Sequence, residues 1–288
     1  MRSVLELIEE HRPKMSKGHK KIADYIIGNY DKAAFLTASK LGVEVGVSES
    51  TVVRFANSLG YSGFPELQDS LGEVVKTRLT SLQRYNLTFD KMANKDILSK
   101  VITADISMLK DTLEHIDKEH FDKSIDAILN AKTIYILGIR SSYSLAQYLG
   151  FYMNLTFNNV KVVYTNTMSE MFEQTFRIDR DDVIIGITFP RYSKRTCKIL
   201  QYARNRGAVV IGITDTEQSP IIPYCNYKLL AVSDMVSFVD SLVAPLSLVN
   251  ALAVAVGIKK KEEVTETLNK LEEIWDEYSV YDNGKNDR

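Results

Sequence analysis

Residues 37–59 read TASKLGVEVGVSESTVVRFANSL, and their apolar spacing is that of two short helices joined by a tight turn. The residues expected to face inward are Leu41, Val45, Val47, Val52 and Phe55. Gly46 falls at the bend, where a residue without Cβ tolerates the positive φ that such a turn commonly needs. Small Gly42 falls where the two helices approach most closely. The pattern predicts a helix-turn-helix, whose natural partner is the major groove of DNA.

The outward face of the second helix carries side chains that suit DNA. Ser48 is placed to cap this helix, and Glu49 adds negative charge near the positive end of the helix dipole. Hydroxyls suit phosphates or base edges, Arg54 can bind guanine or phosphate, and Asn57 can match adenine. The candidate DNA-binding residues are Thr37, Ser48, Ser50, Thr51, Arg54 and Asn57. The alternative is a helical hairpin with a solvated polar face.

The segment VSESTVVRFANSLGYSGFPEL at 47–67 resembles the N-terminal domain of the RpiR family of bacterial transcriptional regulators. The residues that carry the resemblance are Val47, Ser48, Thr51, Val52, Arg54, Phe55, Leu59, Gly60, Gly63 and Phe64. Upstream, IADYIIGNYDKAAFLTASKL resembles the family's first helices, and Gly42 stands where alanine is commoner. The resemblance implies a regulator that binds operator DNA.

Length and charge set limits on the rest of the chain. The 288 residues, 45% of them hydrophobic, suggest two domains that each bury a core. The formal net charge of −1 excludes a global basic field. Positive charge is instead concentrated locally, at His11, Arg12, Lys14, Lys17, His19, Lys20 and Lys21. A small operator-reading domain needs only such a patch, although charge runs of this size are also common on solvated surfaces.

The cysteines and the longest apolar run indicate the cellular compartment in which the protein is expected. Cys197 and Cys225 lie far apart without metal-ligand spacing, and no charged-then-apolar leader precedes the first domain. We therefore expect a reduced, cytoplasmic protein with no metal and no cofactor. The apolar run at 241–258 approaches the length of a membrane span, but it contains Pro245 and Asn250. It predicts a buried helix and no membrane partner.

Residues 65–130 are helical in pattern throughout. One apolar seam repeats at alternating spacings of four and three, at Ile102, Ile106, Leu109, Leu113 and Ile116. The seam is too short for a coiled coil and is expected to pack on the second domain or on a sister subunit. The loop at 86–94 is the expected hinge. The charged segment 259–288 predicts one amphipathic helix followed by a frayed end.

From residue 133 the helical periodicity of apolar residues ends. Apolar runs rich in β-forming residues follow and alternate with helical stretches. The runs are TIYILGI, VKVVY, DVIIGITF, AVVIGIT and YKLLAV. Continuous apolar strands separated by helices predict a parallel sheet that is covered on both faces. The fold class is therefore α/β, with an all-α helix-turn-helix domain followed by a flavodoxin-like, five-stranded parallel sheet. Ligands of such sheets bind beyond the carboxyl ends of the strands.

Two loops at predicted strand ends carry hydroxyls and cations into the following helices. One is residues 138–143 after the first strand, with the helix expected from Ser144 through Tyr152. The other is residues 189–196 after the third strand. Orphan backbone N–H groups and the helix dipole bind phosphate at such positions. The candidate ligand-binding residues are Arg140, Ser141, Ser142, Arg191, Ser193, Lys194 and Thr196. The alternative is that Ser142, Ser193 and Thr196 are ordinary cap and first-turn residues.

This half of the chain resembles the sugar isomerase (SIS) domain, which binds phosphosugars in enzymes and regulators. Gly138 and Ser142 match its first loop, glycine-x-glycine-x-serine, while Arg140 replaces the second glycine. Ser193 and Thr196 match its second loop, serine-x-serine-glycine-x-threonine. Arg191 and Lys194 replace the first serine and the glycine of that loop. The stretch at 214–220 fits the loop after the family's fourth strand. Because an arginine fork supplies paired donors, we expect an acidic or phosphorylated sugar.

Side chains that could transfer a proton help to distinguish a regulator from an enzyme. The four histidines, His11, His19, His115 and His120, all precede the first strand, so the usual base of an aldose-ketose isomerase has no candidate within the sheet domain. Glu170, Glu173 and Gln174 follow the second strand and could contact sugar hydroxyls or serve as surface residues. Because these carboxylates could act as a base, a phosphosugar isomerase or lyase is the second hypothesis. A ligand-free architectural DNA binder is the third.

The first hypothesis is a phosphosugar-responsive regulator with no catalytic residues, which binds operator DNA as a homodimer or homotetramer. The expected division is a helix-turn-helix domain at 1–78, a helical linker and packing segment at 79–130, a SIS domain at 131–275 and a flexible tail at 276–288. The sequence leaves repression and activation both open, together with the identity of the sugar.

Overall fold

A computed structural model describes residues 3–78, 80, 82–83, 96–165, 167–234 and 239–281. The chain divides into two compact units, one of Met1–Lys95 with Ser237–Val239 and one of Asp96–Val236 with Asp240–Arg288. We call them the reader unit and the sheet unit. The hinge expected at 86–94 lies outside the described residues, as does the end of the tail from residue 282.

The reader unit is helical. Its helices are α1 (Val4–His11), α2 (Lys17–Gly28), α3 (Tyr30–Ala33), α4 (Ala38–Val45), α5 (Glu49–Ser58) and α6 (Phe64–Arg78). They enclose one apolar core to which α1, α2, α5 and α6 all contribute, and which includes the predicted inward residues Leu41, Val52 and Phe55. Val45 and Val47 pack against this core while remaining partly exposed. The sequence prediction of the two short helices and their core is confirmed.

The sheet unit begins with α7 (Ile97–His115) and α8 (Lys118–Leu129) and then alternates strands with helices. Its remaining strands and α-helices are β1 (Ile134–Gly138), α9 (Ser141–Asn154), β2 (Val160–Val163), α10 (Met168–Thr175), β3 (Val183–Ile187), α11 (Lys194–Asn205), β4 (Val209–Thr214), β5 (Tyr227–Leu230), α12 (Val243–Lys259) and α13 (Lys261–Glu277). All five predicted strands are confirmed. The helix after β1 starts three residues earlier than predicted, at Ser141, so Ser141 and Ser142 lie in its first turn.

The sheet is parallel throughout, in the order β2-β1-β3-β4-β5. Its alternating side chains build two cores. Ile134 and Ile136 of β1 point to a core shared with α8, α9 and α12, whereas Tyr135 and Leu137 point to a core shared with α10 and α11. Burial on both faces explains why these strands read as continuous apolar runs. The flavodoxin-like fold is confirmed.

The expectation of a buried helix at 241–258 is right for one face only. Leu248, Leu252 and Val256 of α12 are buried, but Val254 and Ile258 are exposed. The composition of the run does not distinguish the two faces because both are apolar. Among the described residues, no single helix is long and apolar enough to cross a membrane; α12 and α13 meet that test only as a pair, bent by 96° at their junction.

Candidate DNA-binding and ligand-binding sites

The turn between α4 and α5 depends on two glycines. Gly46 has φ of 69°, in the left-handed region that favours glycine. A Cβ added to Gly42 would lie 2.8 Å from the carbonyl oxygen of Val47, so the two helices meet there without room for a methyl group. The left-handed turn at Gly46 and the close approach at Gly42 together set the crossing of α4 and α5, and with it the direction in which α5 presents its outer face.

A cluster of hydroxyl groups begins α5. Ser48 Oγ accepts a hydrogen bond from the backbone N–H of Thr51 at 3.3 Å, as its predicted role as helix cap requires. The same oxygen lies 3.0 Å from Ser50 Oγ and 2.8 Å from Thr51 Oγ1. Thr37 caps α4 in the same way, through the N–H of Lys40 at 3.3 Å. The hydroxyls of Ser48 and Ser50 therefore stand together at the exposed amino end of α5.

Farther along α5, the cationic and amide candidates are also exposed. Arg54 Nε donates to the carbonyl oxygen of Ser50 at 3.2 Å, which holds the guanidinium along the outer face of the helix. Asn57 lies one turn beyond and is exposed. Of the six candidate DNA-binding residues, only Thr51 is half-buried. The candidates at 48–57 thus share one surface, the outer face of α5.

The beginning of α2 adjoins α5 and adds charge to that surface. A Cβ on Gly18 would lie 3.4 Å from the methyl group of Thr51, and the His19 ring meets Phe55 edge-on at 5.6 Å between centroids. Burial, and then the charge of Arg54, lower the pKa of His19 below its usual value of 6.5. Lys17 and Lys20 are exposed nearby in sequence.

The positive patch is smaller than the sequence suggests. Arg12 Nε lies 2.7 Å from Asp24 Oδ1, so the carboxylate offsets this positive charge. Both groups are about half exposed, and such a pair contributes little to stability.

In the sheet unit, the order of the strands locates a crevice. β1 and β3 are neighbours, with Gly138 paired to Ile187, yet α9 after β1 packs on one face of the sheet and α11 after β3 on the other. The two connections diverge at this point, which is where open α/β sheets bind ligands. The predicted loops at 138–143 and 189–196 flank this crevice.

The first loop begins with a glycine that has no room for a side chain. A Cβ on Gly138 would lie 2.3 Å from the carbonyl oxygen of Ser142. Arg140 has φ of 60° and ψ of −126° at the N-cap of α9, and it makes no side-chain capping bond. Ser141 is exposed and Ser142 is buried in the first turn. The amino end of α9 therefore presents backbone N–H groups beside an arginine.

The second loop is capped. Ser193 Oγ accepts hydrogen bonds from the N–H groups of Arg195 at 3.2 Å and Thr196 at 3.4 Å. Ser193 is thus the N-cap of α11, the role that the sequence left open, and Lys194 begins the helix. Thr196 is fully buried, and its Oγ1 has no hydrogen-bond partner among the described residues. Arg191 has φ of 61°.

Several residues at this end of the sheet were not predicted from the sequence. Thr188 Oγ1 accepts from the N–H of Ser193 at 3.4 Å, and Tyr192 Oη donates to Asp215 at 2.9 Å, which ties the second loop to the end of β4. The rings of Tyr143 and Tyr164 lie 4.4 Å apart. Only their positions after β1 and β2 could have indicated this pair.

Three residues considered for sugar contact or proton transfer have local structural partners. Gln174 bonds the backbone of Tyr164 through both amide atoms, at 3.0 and 2.9 Å, and Glu170 accepts from Thr165 Oγ1. His120 Nδ1 accepts from the N–H of Lys228 at 3.0 Å, at the amino end of β5. Because the crevice lies at the carboxyl ends of the strands, His120 stands at the opposite edge of the sheet.

Two families match separate parts of the chain. The family described as "Helix-turn-helix domain, rpiR family" matches residues 2–77, and the SIS domain matches residues 127–255. The first range contains α1 to α5 and most of α6. The second contains all five strands and both candidate loops.

Two transcriptional regulators align with most of the chain. The chain is 25% identical over 279 residues to the HTH-type transcriptional regulator HexR of Escherichia coli (strain K12), covering 94% of this chain and 93% of the relative. It is 28% identical over 232 residues to an HTH-type transcriptional regulator of Clostridium perfringens (strain 13 / Type A), covering 80% and 82%.

Solved structures share the fold. NanR of Vibrio vulnificus, complexed with ManNAc-6P, superposes with a TM-score of 0.60 at 19% identity, covering 97% of this chain and 99% of NanR. The sugar isomerase domain of an RpiR transcription factor from Sphaerobacter thermophilus gives 0.57 at 24% identity, covering 61% and 97%. With the helix-turn-helix geometry of α4 and α5 preceding a parallel sheet of SIS type, the chain belongs to the rpiR family of transcriptional regulators.

Proposed function

We propose that this protein regulates transcription by binding operator DNA through α5, and that a phosphosugar held between the loops after β1 and β3 controls its affinity for the operator. One observation carries the ligand assignment. Arg140 and Arg191 both adopt positive φ where the two connections diverge. Non-glycine residues in such conformations are strained and cluster at functional sites.

The chemistry of the crevice favours an anion. The amino end of α9 offers backbone N–H groups and the positive end of a dipole, and two guanidinium groups belong to the flanking loops. A guanidinium fork binds phosphate or carboxylate through parallel hydrogen bonds. The hydroxyls of Ser141 and Ser193 suit either the phosphate or a sugar. NanR, which shares this fold, binds ManNAc-6P, and a phosphosugar is the ligand class we assign here.

The DNA contact follows from the outer face of α5. Arg54 is held along this face by its bond to Ser50, so its remaining guanidinium N–H groups are directed outward for guanine or phosphate. The hydroxyl cluster at the amino end of the helix suits a phosphate. The protein acts in the cytoplasm, where its operator lies, and binds two half-sites as a dimer or higher oligomer.

Coupling between the two sites requires unequal binding. A phosphosugar alters operator affinity only if it binds the DNA-competent and DNA-incompetent arrangements with different affinity. We propose that a bound phosphate stabilises one conformation of each arginine loop against its strain, so that the two loops act as the local two-state element.

Catalysis is not part of this function. His120 stands at the amino end of β5, Gln174 is engaged with the backbone of Tyr164, and Glu170 with Thr165. The alternative, a phosphosugar isomerase or lyase, would need Glu170 or Glu173 as its base. Enzyme-dependent conversion of a hexose phosphate in an NMR assay, lost on substitution of Glu170 or Glu173, would establish that alternative.

The deciding experiment is a thermal-shift screen of the purified chain against sugar phosphates, the parent sugars and inorganic phosphate. Ligand that binds the native state raises the apparent melting temperature by mass action. We expect a shift with at least one sugar phosphate and none with its parent sugar. The operator fragment is then selected from genomic DNA, and its affinity is measured with and without that sugar phosphate. A ligand that shifts melting but leaves operator affinity unchanged would refute the regulatory role.

A further inference from the structure

Two tyrosine rings lie against each other at the carboxyl edge of the sheet. Tyr143 belongs to the first turn of α9, and Tyr164 directly follows β2. Their ring centroids are 4.4 Å apart and their planes meet at 30°, which is close to an offset stack. Tyr143 is half-buried and Tyr164 is 59% exposed. The pair, which we call the aromatic platform, therefore presents an aromatic surface to solvent.

Two glutamines hold the aromatic platform in place. The backbone N–H of Tyr164 donates to Gln174 Oε1 at 3.0 Å, and Gln174 Nε2 donates to the carbonyl oxygen of Tyr164 at 2.9 Å. This pair of bonds takes the place of a neighbouring strand just beyond the end of β2, which lies at the edge of the sheet. Gln147 Nε2 donates to Tyr143 Oη. A platform held in this way loses little freedom when a ligand covers it, which favours binding.

The aromatic platform adjoins the loop after β1, which flanks the proposed phosphate position. The N–H of Tyr143 donates to the carbonyl oxygen of Arg140 at 3.0 Å. Helical side chains lean towards the amino end of their helix, so the Tyr143 ring leans towards Arg140 and Ser141. Because β2 pairs with β1 as far as Val163, Tyr164 stands about one strand spacing, roughly 4.8 Å, to the side of that loop. A sugar attached to a phosphate at the amino end of α9 can therefore reach the platform.

On the β4 side of the crevice, polar groups are bonded to one another. Tyr192 Oη donates to Asp215 Oδ1 at 2.9 Å, and Thr214 Oγ1 donates to Ser219 Oγ at 2.8 Å. A sugar bound on this side would displace such bonds, which costs free energy unless the sugar replaces each of them. On the β2 side, a sugar covers aromatic surface that is exposed to water, and the removal of apolar surface from water is favourable. The geometry therefore favours the β2 side for the sugar.

We propose that the aromatic platform binds the sugar part of the phosphosugar and selects a closed sugar ring over an open chain. One face of a pyranose ring carries mainly C–H groups, which are apolar and slightly positive and so suit the negative face of an aromatic ring. An open chain of the same carbons turns hydroxyl groups in all directions and leaves some of them without partners on an apolar surface. This assignment rests on the proposed function and names the form of the ligand, a phosphorylated sugar in its ring form.

The first test compares ring-locked and open-chain compounds on the wild-type chain. The probes derive from glucose, mannose and N-acetylglucosamine, each phosphorylated on the terminal hydroxyl. For each sugar, the anhydroalditol phosphate has a ring that cannot open, and the alditol phosphate cannot form a ring. Isothermal titration should show, for at least one sugar, that the anhydroalditol phosphate binds about tenfold or more tightly than the alditol phosphate. Equal affinity of the two forms would overturn the assignment and leave phosphosugar binding intact. If the wild type binds none of these phosphates, the proposed function fails and this assignment with it.

The second test removes the exposed ring of the platform. Tyr164→Ala should weaken binding of the anhydroalditol phosphate about tenfold and change that of the alditol phosphate by less than about threefold, because the phosphate contacts stay the same. Tyr164→Phe keeps the ring and should restore the affinity.

The matched control is Tyr278→Ala, at a tyrosine that is 70% exposed just after α13, and it should change neither affinity. Circular dichroism and melting temperature should be the same for Tyr164→Ala and the wild type, because the side chain is more than half exposed. Wild-type affinity of Tyr164→Ala for the anhydroalditol phosphate, or an equal loss for both analogues, would overturn the assignment.

Discussion

Arg140 and Arg191 have nearly the same backbone torsion, φ of 60° and 61°, in the loops after the neighbouring strands β1 and β3. A non-glycine residue held in a sparsely populated backbone region with positive φ costs of order 1–3 kcal/mol. In the resembling SIS loop a glycine stands where Arg140 does, and the positive φ gives the physical reason for that glycine. In this chain, the strain is accepted and a cation is gained after β1, where we propose that the ligand binds.

Arg140→Gly should separate the effect of the Arg140 charge on ligand affinity from the effect of its backbone strain on stability. We expect sugar-phosphate affinity to fall by about tenfold or more, since hydrogen bonds to charged groups contribute roughly 1.5–3 kcal/mol. Stability should not fall, because relief of the strained φ offsets the extra chain entropy of glycine, about 0.5–1 kcal/mol. Isothermal titration and thermal melting measure the two effects. Arg204→Ala, an exposed arginine in the last turn of α11, is the control and should alter neither. Unchanged ligand affinity in Arg140→Gly would remove Arg140 from the site.

Arg54→Ala should weaken binding to the selected operator while leaving ligand binding and folding intact. The side chain is exposed and bonds only to Ser50 among the contacts described, so its loss should be nearly neutral for stability. A base contact is worth about 1–3 kcal/mol of discrimination. Fluorescence anisotropy at fixed salt measures the change, and Lys32→Ala on α3, outside the helix-turn-helix, controls for loss of charge. Equal affinities of Arg54→Ala and wild type would argue against α5 as the groove-facing helix.

Gly42→Ala should destabilise the reader unit although alanine is the better helix former. The new Cβ would lie 2.8 Å from the carbonyl oxygen of Val47, a backbone atom that moves only with the turn. Overpacking of this kind costs about 1–3 kcal/mol, more than the gain of roughly 1 kcal/mol in helix propensity. Gly72→Ala in α6 is the control, because its Cβ would meet nothing within 4 Å, and it should stabilise. Urea titrations of the full chain should therefore move in opposite directions.

The sequence predicts the helix-turn-helix and the sheet because both follow from local patterns. The Gly46 turn and the Ser48 cap depend on residues within one turn of each other. The continuous apolar strands identify a sheet covered on both faces. The position of β1 between β2 and β3 is then the usual arrangement of such a fold.

Other features depend on interactions between distant parts of the chain. The spacing of apolar residues along α7 is visible in the sequence. Which face of α7 packs inward is instead decided by residues 126 to 136 positions away in sequence, such as Asp234 and Ser241. Likewise, the role of His120 depends on Lys228, far along the chain. The positive φ of Arg140 was hidden because arginine rarely adopts it.

The stability of the reader unit should depend on pH through His19. Burial and the nearby Arg54 lower the pKa of its imidazole in the folded state below the usual 6.5. The unfolded chain then binds the proton more readily than the folded chain. The contribution of His19 to the free energy of unfolding is therefore fully present above pH 6.5 and is lost as the pH falls towards the folded-state pKa. We expect His19→Gln to flatten this dependence in urea titrations between pH 7.5 and 5, values at about one unit or more on either side of the ordinary histidine pKa of 6.5. His11→Gln, at an exposed position, is the control. A wild-type stability that does not fall in this range would contradict the assignment.

Ser193 offers a test of whether effector response can be removed without loss of DNA binding. Its Oγ accepts from the N–H groups of Arg195 and Thr196, donors of the kind that a phosphate would use. Ser193→Glu, and the better capping Ser193→Asp, place a carboxylate on the same donors and a like charge where the phosphate would bind. Both variants should lose the change in operator affinity on addition of the sugar phosphate, while operator affinity without ligand is retained.

Ser193→Asn is the control, because asparagine caps a helix as well as aspartate but carries no charge. This variant should still respond to the sugar phosphate. If Ser193→Asp and Ser193→Asn respond equally to the effector, the phosphate is not held at this loop and the site lies elsewhere on the sheet unit.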